Sequence, residues 1–276
     1  MPLTRTSELM KTGRPLAAFN VITLEHAEAI AAGAEAAGNA PAVLQISENA
    51  VKYHGGNLGP LAAATAAVAR TSSAPLALHL DHVETVDLLH AAHAHGFDSV
   101  MYDASKLPYA DNVKATAAAA RWAHARGIWL EAELGRIGGK PGDAHTPGVR
   151  TDPTEAAAYV AETGVDALAV AVGSSHAMTT RTATLDHTLI ATLRATVPVP
   201  LVLHGSSGVP DSELRAAIAA GIRKINVGTA LNRAFTTTLR ASLGSHPQAT
   251  DPRKHLTPAR EAMAGVVTQF LEAVRS

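Results

Sequence analysis

Leu76-Ala77-Leu78-His79-Leu80-Asp81-His82, followed by Val83-Glu84-Thr85, is the stretch on which the fold turns. An apolar run that ends abruptly in an acid and an imidazole reads as a buried strand delivering polar groups at its C-terminal tip. Thr85 then opens a helix-like segment. Neutral imidazole binds transition metals, and a carboxylate beside it can move protons. Equally, Asp81 can cap the following helix while His82 sits satisfied in a turn, and His-x-Asp-His alone does not separate the two. His79 lies two residues before Asp81, so alternation points it the same way but one layer deeper, as a core or supporting residue rather than a ligand.

The strand-then-helix pattern extends in both directions. Strands are expected over Leu16 to Val21 and Ala42 to Ser47 before this stretch, and over Ser99 to Asp103 and Ile128 to Leu134 after it. Three more follow at Ala167 to Val172, Leu201 to His204 and Lys224 to Val227. Helices begin near Leu24, Asn57, Thr85, Pro108, Pro153, Asp186, Pro210 and Ala230. Asp152-Pro153 and Pro210-Asp211 place proline and acid together in a first turn. Gly38, Gly96, Gly127, Gly164 and Gly221 each stand where a helix ends before the next strand. Eight strands and eight helices in about 250 residues predict a single (β/α)8 barrel over 1–276, with a helical extension over about 246–276. A doubly wound open sheet is the competing architecture.

Composition narrows the chemistry. The 276 residues are 47% apolar with a formal charge of -1, which gives no reason to expect nucleic acid or an anionic membrane as partner. There is no cysteine, so disulfides, thiolate ligands and a cysteine nucleophile are excluded, and a transition metal must use His, Asp or Glu. The 14 histidines supply candidates, although His90, His93 and His124 fall on helix-like segments. The N-terminal residues lack a secretory apolar region, and no run approaches the ~18–20 residues of a membrane span. The expectation is a soluble, cytoplasmic protein.

Polar residues concentrate at the C-terminal ends of the expected strands, where barrel enzymes build their active sites. Asn20, Ser47, Asp81, His82, Asp103, Glu131 and Glu133 all fall there. So do Gly173 to His176, His204 to Ser207 and Asn226 to Thr229. His82, His176 and His204 end different strands, and three neutral imidazoles with an open fourth position make a catalytic zinc site. Glu131 and Glu133 share one strand face, where both cannot be ionised without a cation, an imidazole donor or water nearby. One of them is an alternate ligand or orients a ligand histidine. The loops Gly205-Ser206-Ser207-Gly208 and Asn226-Val227-Gly228-Thr229 follow the last two strands, where barrels frequently hold a phosphate. Residues 135–151 are Gly/Pro-rich without apolar period and are expected to form a mobile lid.

Taken in order, these residues resemble the class II, metal-dependent ketose-bisphosphate aldolases, in particular the fructose- and tagatose-bisphosphate branch. The resemblance runs through Ala18-Phe19-Asn20, Leu78 to His82, Leu130 to Gly135 and Val172 to His176. It continues through Leu203-His204-Gly205, Lys224 to Thr229 and Asp251-Pro252-Arg253. It implies a divalent cation, usually Zn2+, on His82, His176 and His204, with Asp81 as the proton-transfer carboxylate. Glu133 matches an alternate metal-contacting position in the catalytic set. Gly205, Ser206, Ser207, Asn226, Val227, Gly228 and Thr229 match the first-phosphate cradle, and Asn20 and Ser47 match substrate contacts. A monovalent cation (Na+ or K+) beside the phosphate is also implied. Arg253 matches an arginine that reaches the distal phosphate in a neighbouring subunit, which implies a homodimer or homotetramer. The substrate would be a small phosphorylated sugar, a fructose- or tagatose-type 1,6-bisphosphate cleaved to dihydroxyacetone phosphate and an aldehyde such as glyceraldehyde 3-phosphate.

There are departures. Pro141 stands where the family carries a glutamate, with Asp143 or His145 as conceivable substitutes. Ala177 replaces a usual glycine, and Gly228 and Ala230 lack acids often found there. Alternatives are an aldolase homologue for another phosphorylated ketose, a metal-dependent hydrolase or isomerase on the same histidines, and a non-catalytic sugar-phosphate-binding barrel.

Overall fold

The computed structural model describes residues 3–134 and 149–275. A short helix, α1 (Thr6–Lys11), precedes β1 (Leu16–Asn20), and α2 (Leu24–Ala36) leads to β2 (Ala42–Ser47). Two helices, α3 (Glu48–Tyr53) and α4 (Leu58–Thr71), connect to β3 (Leu76–Val83). The alternation continues through α5 (Val86–Ala94), β4 (Ser99–Tyr102), α6 (Tyr109–His124) and β5 (Trp129–Glu133). Then come α7 (Pro153–Thr163), β6 (Ala167–Ala169), α8 (His187–Thr196) and β7 (Leu201–Leu203). α9 (Asp211–Ala220), β8 (Ile222–Val227), α10 (Thr229–Ser245) and α11 (Arg253–Arg275) follow, the last lying within the expected helical extension.

Each strand is parallel to its neighbours, and β8 pairs back onto β1 with Leu16 opposite Lys224. The sheet therefore closes into the expected (β/α)8 barrel, and the open doubly wound alternative fails at that pairing. The expected start signals act as caps: Asp152, Asp186 and Asn57 accept backbone N–H groups of α7, α8 and α4. Among the described residues no helix is long and apolar enough to cross a membrane.

Strand alternation divides the core. Leu16, Ala18, Val43, Ala77, Met101, Trp129, Ala167, Ala169 and Val202 form one buried cluster inside the barrel, joined by Leu9 and Met10 of α1. The residues between them, such as Phe19, Leu44, Leu80 and Leu130, pack outward beneath the helices. One step further along the inward face the residues turn polar: Gln45, His79, Glu131, His204 and Lys224 are all 0–1% exposed. The apolar floor thus carries a buried polar storey, and the strand tips stand above it.

Most strands differ from the sequence expectation by a residue or two at an end, as at β8, which starts at Ile222 and not Lys224; three differences bear on the site. β3 continues to Val83 through a register shift between Leu80 and Val83. β6 stops at Ala169 instead of Val172, and two residues on Thr151 takes the place of a strand partner: Ala171 N–H donates to Thr151 Oγ1 at 2.8 Å and Thr151 N–H to Ala171 O at 3.0 Å. The extra helix α3 starts immediately after β2, where Ser47 Oγ accepts Ala50 N–H at 3.2 Å.

α11 packs along α2 through a close approach at Gly33, whose added Cβ would lie 2.6 Å from Val267 Cβ and 2.7 Å from Ala264 O. One turn further along α11 Phe270 meets Phe19 edge-on, with centroids 6.5 Å apart. Gly33→Ala should therefore lose about 1–3 kcal/mol by overpacking, outweighing the roughly 1 kcal/mol that alanine gains in helix propensity. Urea unfolding checks this; an unchanged or raised midpoint would remove the close contact as a constraint on the α2–α11 pair.

Candidate metal centre and active site

Consecutive residues of a regular strand face opposite sides, yet Asp81 and His82 line the same cavity. The β3 irregularity resolves this. His82 takes φ +50°, a left-handed conformation that costs a non-glycine residue on the order of 1–2 kcal/mol, and the local bulge turns its ring to the mouth. His204 arrives on the inward face at the tip of β7. His176 lies on the segment after β6, which is pinned by Val170 N–H to Val202 O (3.1 Å) and Asp186 N–H to Val172 O (2.9 Å). Gly205, at φ +69°, lets the β7 loop press against this segment, since a Cβ there would sit 2.5 Å from Ser175 O.

His82, His176 and His204 offer ring nitrogens all within 4.8 Å of one another. Asp103 Oδ2 lies 2.8 Å from His82 Nδ1, so that nitrogen carries the proton and Nε2 keeps its lone pair. Asp103 is steadied in turn by Ser105, whose hydroxyl donates to Oδ1 at 2.6 Å. Glu131 Oε1 lies 2.9 Å from His204 Nε2, which leaves His204 Nδ1 facing His82 Nε2 at 3.1 Å. Two lone pairs at that distance repel unless a cation lies between them. The donor set therefore fits a divalent metal of zinc's type, with imidazole ligands and supporting carboxylates. Asp103 and Glu133 also form a second possible group with His82.

Beneath the histidines Lys224 Nζ donates to Glu131 Oε2 at 2.8 Å, both side chains being fully buried. Burial pushes the Glu131 carboxyl up, but the Lys224 ammonium and the His204 hydrogen bond outweigh it and hold the group well below the usual carboxylate range. His79 is pushed down to about 3 by burial and by Lys224, so it stays neutral and shares a 2.5 Å contact with Ser99 Oγ. For Asp81 burial also acts upward, and His82, His204 and Lys224 together bring the net shift below the usual value. Asp81 is 2% exposed and receives Gln45 Nε2 on Oδ2 at 3.4 Å, while the same amide also donates to Asn20 Oδ1.

Of the residues singled out in the sequence, Asn20, Ser47, Asp81, His82, His176 and His204 share one cavity of about 170 Å3. Gly205, Ser207, Asn226, Gly228 and Thr229 complete its β7–β8 side, and Ser207 Oγ accepts Ala230 N–H at 3.0 Å, tying the two loops together. Ser206 and Val227 do not line it. Ser206 is buried and donates to Leu203 O at 3.1 Å, and the Val227 side chain belongs to the outer core. Glu133 is 1% exposed and sits behind His82 beside Asp103. Arg253 lies outside the cavity at the start of α11, paired with Asp251 at 2.7 Å. Residues 135–148, and with them Pro141, Asp143, His145 and most of the expected lid, lie outside the described residues.

The departures have a local physical setting. Ala177 lines the cavity at φ +58°, a conformation that glycine adopts without strain. A side chain at Gly228 would start 3.0 Å from the Asn20 amide, so an acid there would displace Asn20. Gln45, Lys224, Lys52 and Asn232 were not anticipated. For Gln45 and Lys224 the signal was available: each is polar at an inward position of a buried strand, two residues before Ser47 and Asn226. The Asn226 amide nitrogen stands 3.1 Å from His204 Nε2; half a turn of the amide sets oxygen against that N–H and NH2 toward the cavity.

The family described as "Fructose-bisphosphate aldolase class-II" matches residues 6–276. The chain is 39% identical over 251 residues to a fructose-bisphosphate aldolase of Geobacillus stearothermophilus, covering 90% of this chain and 87% of that protein. Among solved structures it resembles the YdjI aldolase of Escherichia coli K12, with TM-score 0.82 and 28% identity over 97% of this chain and 94% of that one. It also resembles a putative fructose-1,6-bisphosphate aldolase of Coccidioides immitis, with TM-score 0.86 and 28% identity over 98% and 96% of the two chains.

Removing the carboxylate behind His82 tests the centre. Asp103→Ala should weaken zinc binding roughly 10–100-fold while leaving the protein folded. Competition with a chromophoric chelator measures it, and parental affinity in the variant would detach Asp103 from the metal site.

Proposed function

The chain belongs to the class II fructose-bisphosphate aldolase family, a family of carbon–carbon lyases, and on that premise we propose that it cleaves a ketose 1,6-bisphosphate to dihydroxyacetone phosphate and an aldehyde phosphate. The observation that carries this reading is the meeting of Asp81 with the three imidazoles in one cavity walled by the β7 and β8 loops. His82, His176 and His204 would hold the divalent cation, which when bound supplies Lewis acidity to a substrate carbonyl.

Asp81 is the base of the cleavage. Its neighbours keep it ionised, and Gln45 and the barrel wall hold it in place. It takes the proton of the C4 hydroxyl while the C3–C4 bond breaks, so that C4 becomes the aldehyde and the electron pair stays on C3. Reprotonation of C3 then gives dihydroxyacetone phosphate. In the family a loop glutamate assists there; Pro141 replaces it in this chain, so the proton returns from a different group. Gly205, Ser207, Gly228 and Thr229 supply small residues and hydroxyls for the first phosphate.

Across the mouth, after β2, stand Ser47, Asn49 and Lys52. Ser47 Oγ accepts Ala50 N–H and retains its own hydrogen to donate. Lys52 is the one lysine or arginine among the described residues lining the cavity, which otherwise presents the carboxylates of Glu48, Asp81 and Glu84. Its Nζ is held 2.9 Å from Glu48 Oε1. A dianionic phosphate at the far end of the substrate needs such a cation, which supports a bisphosphate over a ketose with one phosphate.

Release of dihydroxyacetone phosphate from fructose and tagatose 1,6-bisphosphates and from ketose 1-phosphates, each with and without chelator, tests the function. Chelator-sensitive release, reduced roughly 10²–10⁴-fold in Asp81→Ala with metal retained, is expected. No release by the zinc-loaded protein from any of them would refute the proposal. Lys52→Ala should raise KM for the bisphosphate by roughly tenfold and leave the 1-phosphate unaffected. Equal effects on both substrates would return Lys52 to the role of a surface ion pair.

A further inference from the structure

Lys224 is an unusual occupant of a barrel interior. It is a fully buried ammonium from β8, and it meets Glu131, which comes from β5 on the other side of the barrel. Being enclosed and bonded, it cannot reach a substrate carbonyl as an amine nucleophile. The pair instead forms a strut one storey below the histidines. Lys224 occupies Oε2 of the carboxylate, leaving Oε1 directed at His204 Nε2 at 2.9 Å. His79 Nε2 stands 4.0 Å from Oε2 and adds no second acceptor to His204.

An imidazole has two equivalent ways to carry its one proton, and the wrong one would aim an N–H at His82. We propose that Lys224 and Glu131 are positioning residues that fix the Nε2–H tautomer and the ring orientation of His204, and so make Nδ1 the nitrogen it offers to the metal. The proposal rests on the three-histidine reading of the site. The centre is then asymmetric: His82 presents Nε2 because Asp103 holds its Nδ1, and His204 presents Nδ1 because Glu131 holds its Nε2. The acceptor opposite Nε2 is what matters; the lysine is present because a carboxylate acceptor in this interior needs a cation.

Two uncharged double variants, each built in an Asn226→Leu parent so that the amide 3.1 Å from His204 Nε2 supplies no second acceptor, separate that role from packing. Glu131→Gln with Lys224→Met removes the charges and retains an amide oxygen as acceptor; Glu131→Leu with Lys224→Met removes the acceptor as well. Neither leaves an unpaired buried charge, and a cooperative thermal melt checks that each is folded. Zinc affinity should stay within about threefold of the parent in the Gln pair and fall roughly 10–100-fold in the Leu pair. Imidazole 15N shifts of the metal-free protein, with His204 assigned by difference against His204→Asn, should show Nε2–H in the parent and Gln pair and mixed tautomers in the Leu pair. Equal zinc affinity in the two variants, or a single Nε2–H tautomer in both, would overturn the proposal. A parent that binds no zinc would instead refute the metal centre, and the tautomer measurement would still decide the role of Glu131.

Discussion

An ionised carboxylate cannot stand alone at the centre of a barrel. Removing it from water costs several kcal/mol even after the surroundings relax, and a single missing partner in such a pair costs about 3–5 kcal/mol. Glu131 meets that constraint with Lys224 on one oxygen and His204 on the other. Once this charge is balanced, the neighbouring groups settle: His79 remains neutral against Ser99, and Asp81 remains ionised beneath three imidazoles. The interior thus rises from an apolar floor through a compensated ion pair to a layer of three clustered imidazoles. Only above that layer does the cavity open to the loops.

The period of the strands does most of the positioning. Every second residue turns inward, so a carboxylate or imidazole at a strand tip inherits the rigidity of the sheet, within the tolerance that catalytic geometry demands. His82 is the exception. Its left-handed backbone breaks the alternation, and β3 thereby presents the Asp81 carboxylate and the His82 imidazole to one cavity from adjacent positions. The loops after β7 and β8 add what strands cannot, small residues with bare backbone at the cavity wall, and the Ser207–Ala230 bond makes them one surface.

Much of this was legible in the sequence. The barrel followed from alternating segments punctuated by glycines, and Gly38, Gly96, Gly127, Gly164 and Gly221 all have positive φ at helix ends. Asp81, His82 and His204 were visible as polar residues ending buried strands, and His176 as one in the segment after the sixth. What stayed hidden depends on closure. Glu131 and Lys224 are 93 residues apart in sequence, and no local pattern pairs them. Ser206 lay in the right loop and Val227 at the right strand end, but the turn sends Ser206 onto Leu203 O and alternation sends Val227 into the outer core. The β3 bulge was equally invisible, because alternation applied to Leu78 through His82 sends His82 the wrong way. The end of β6 was misjudged because Thr151, distant in sequence, replaces the ladder.

Trp129 belongs to the inner cluster of the barrel, 8% exposed and edge-on to His79 at 6.4 Å, two residues from Glu131. Trp122, the second of two tryptophans, lies outside on α6, stacked with His90 and beneath the Arg126 guanidinium. The molecule thus carries two chromophores in opposite surroundings, one dry and one near solvent. The dry indole emits at shorter wavelength and is shielded from small dissolved quenchers, so its light reports the integrity of the barrel wall next to the ion pair without any added label.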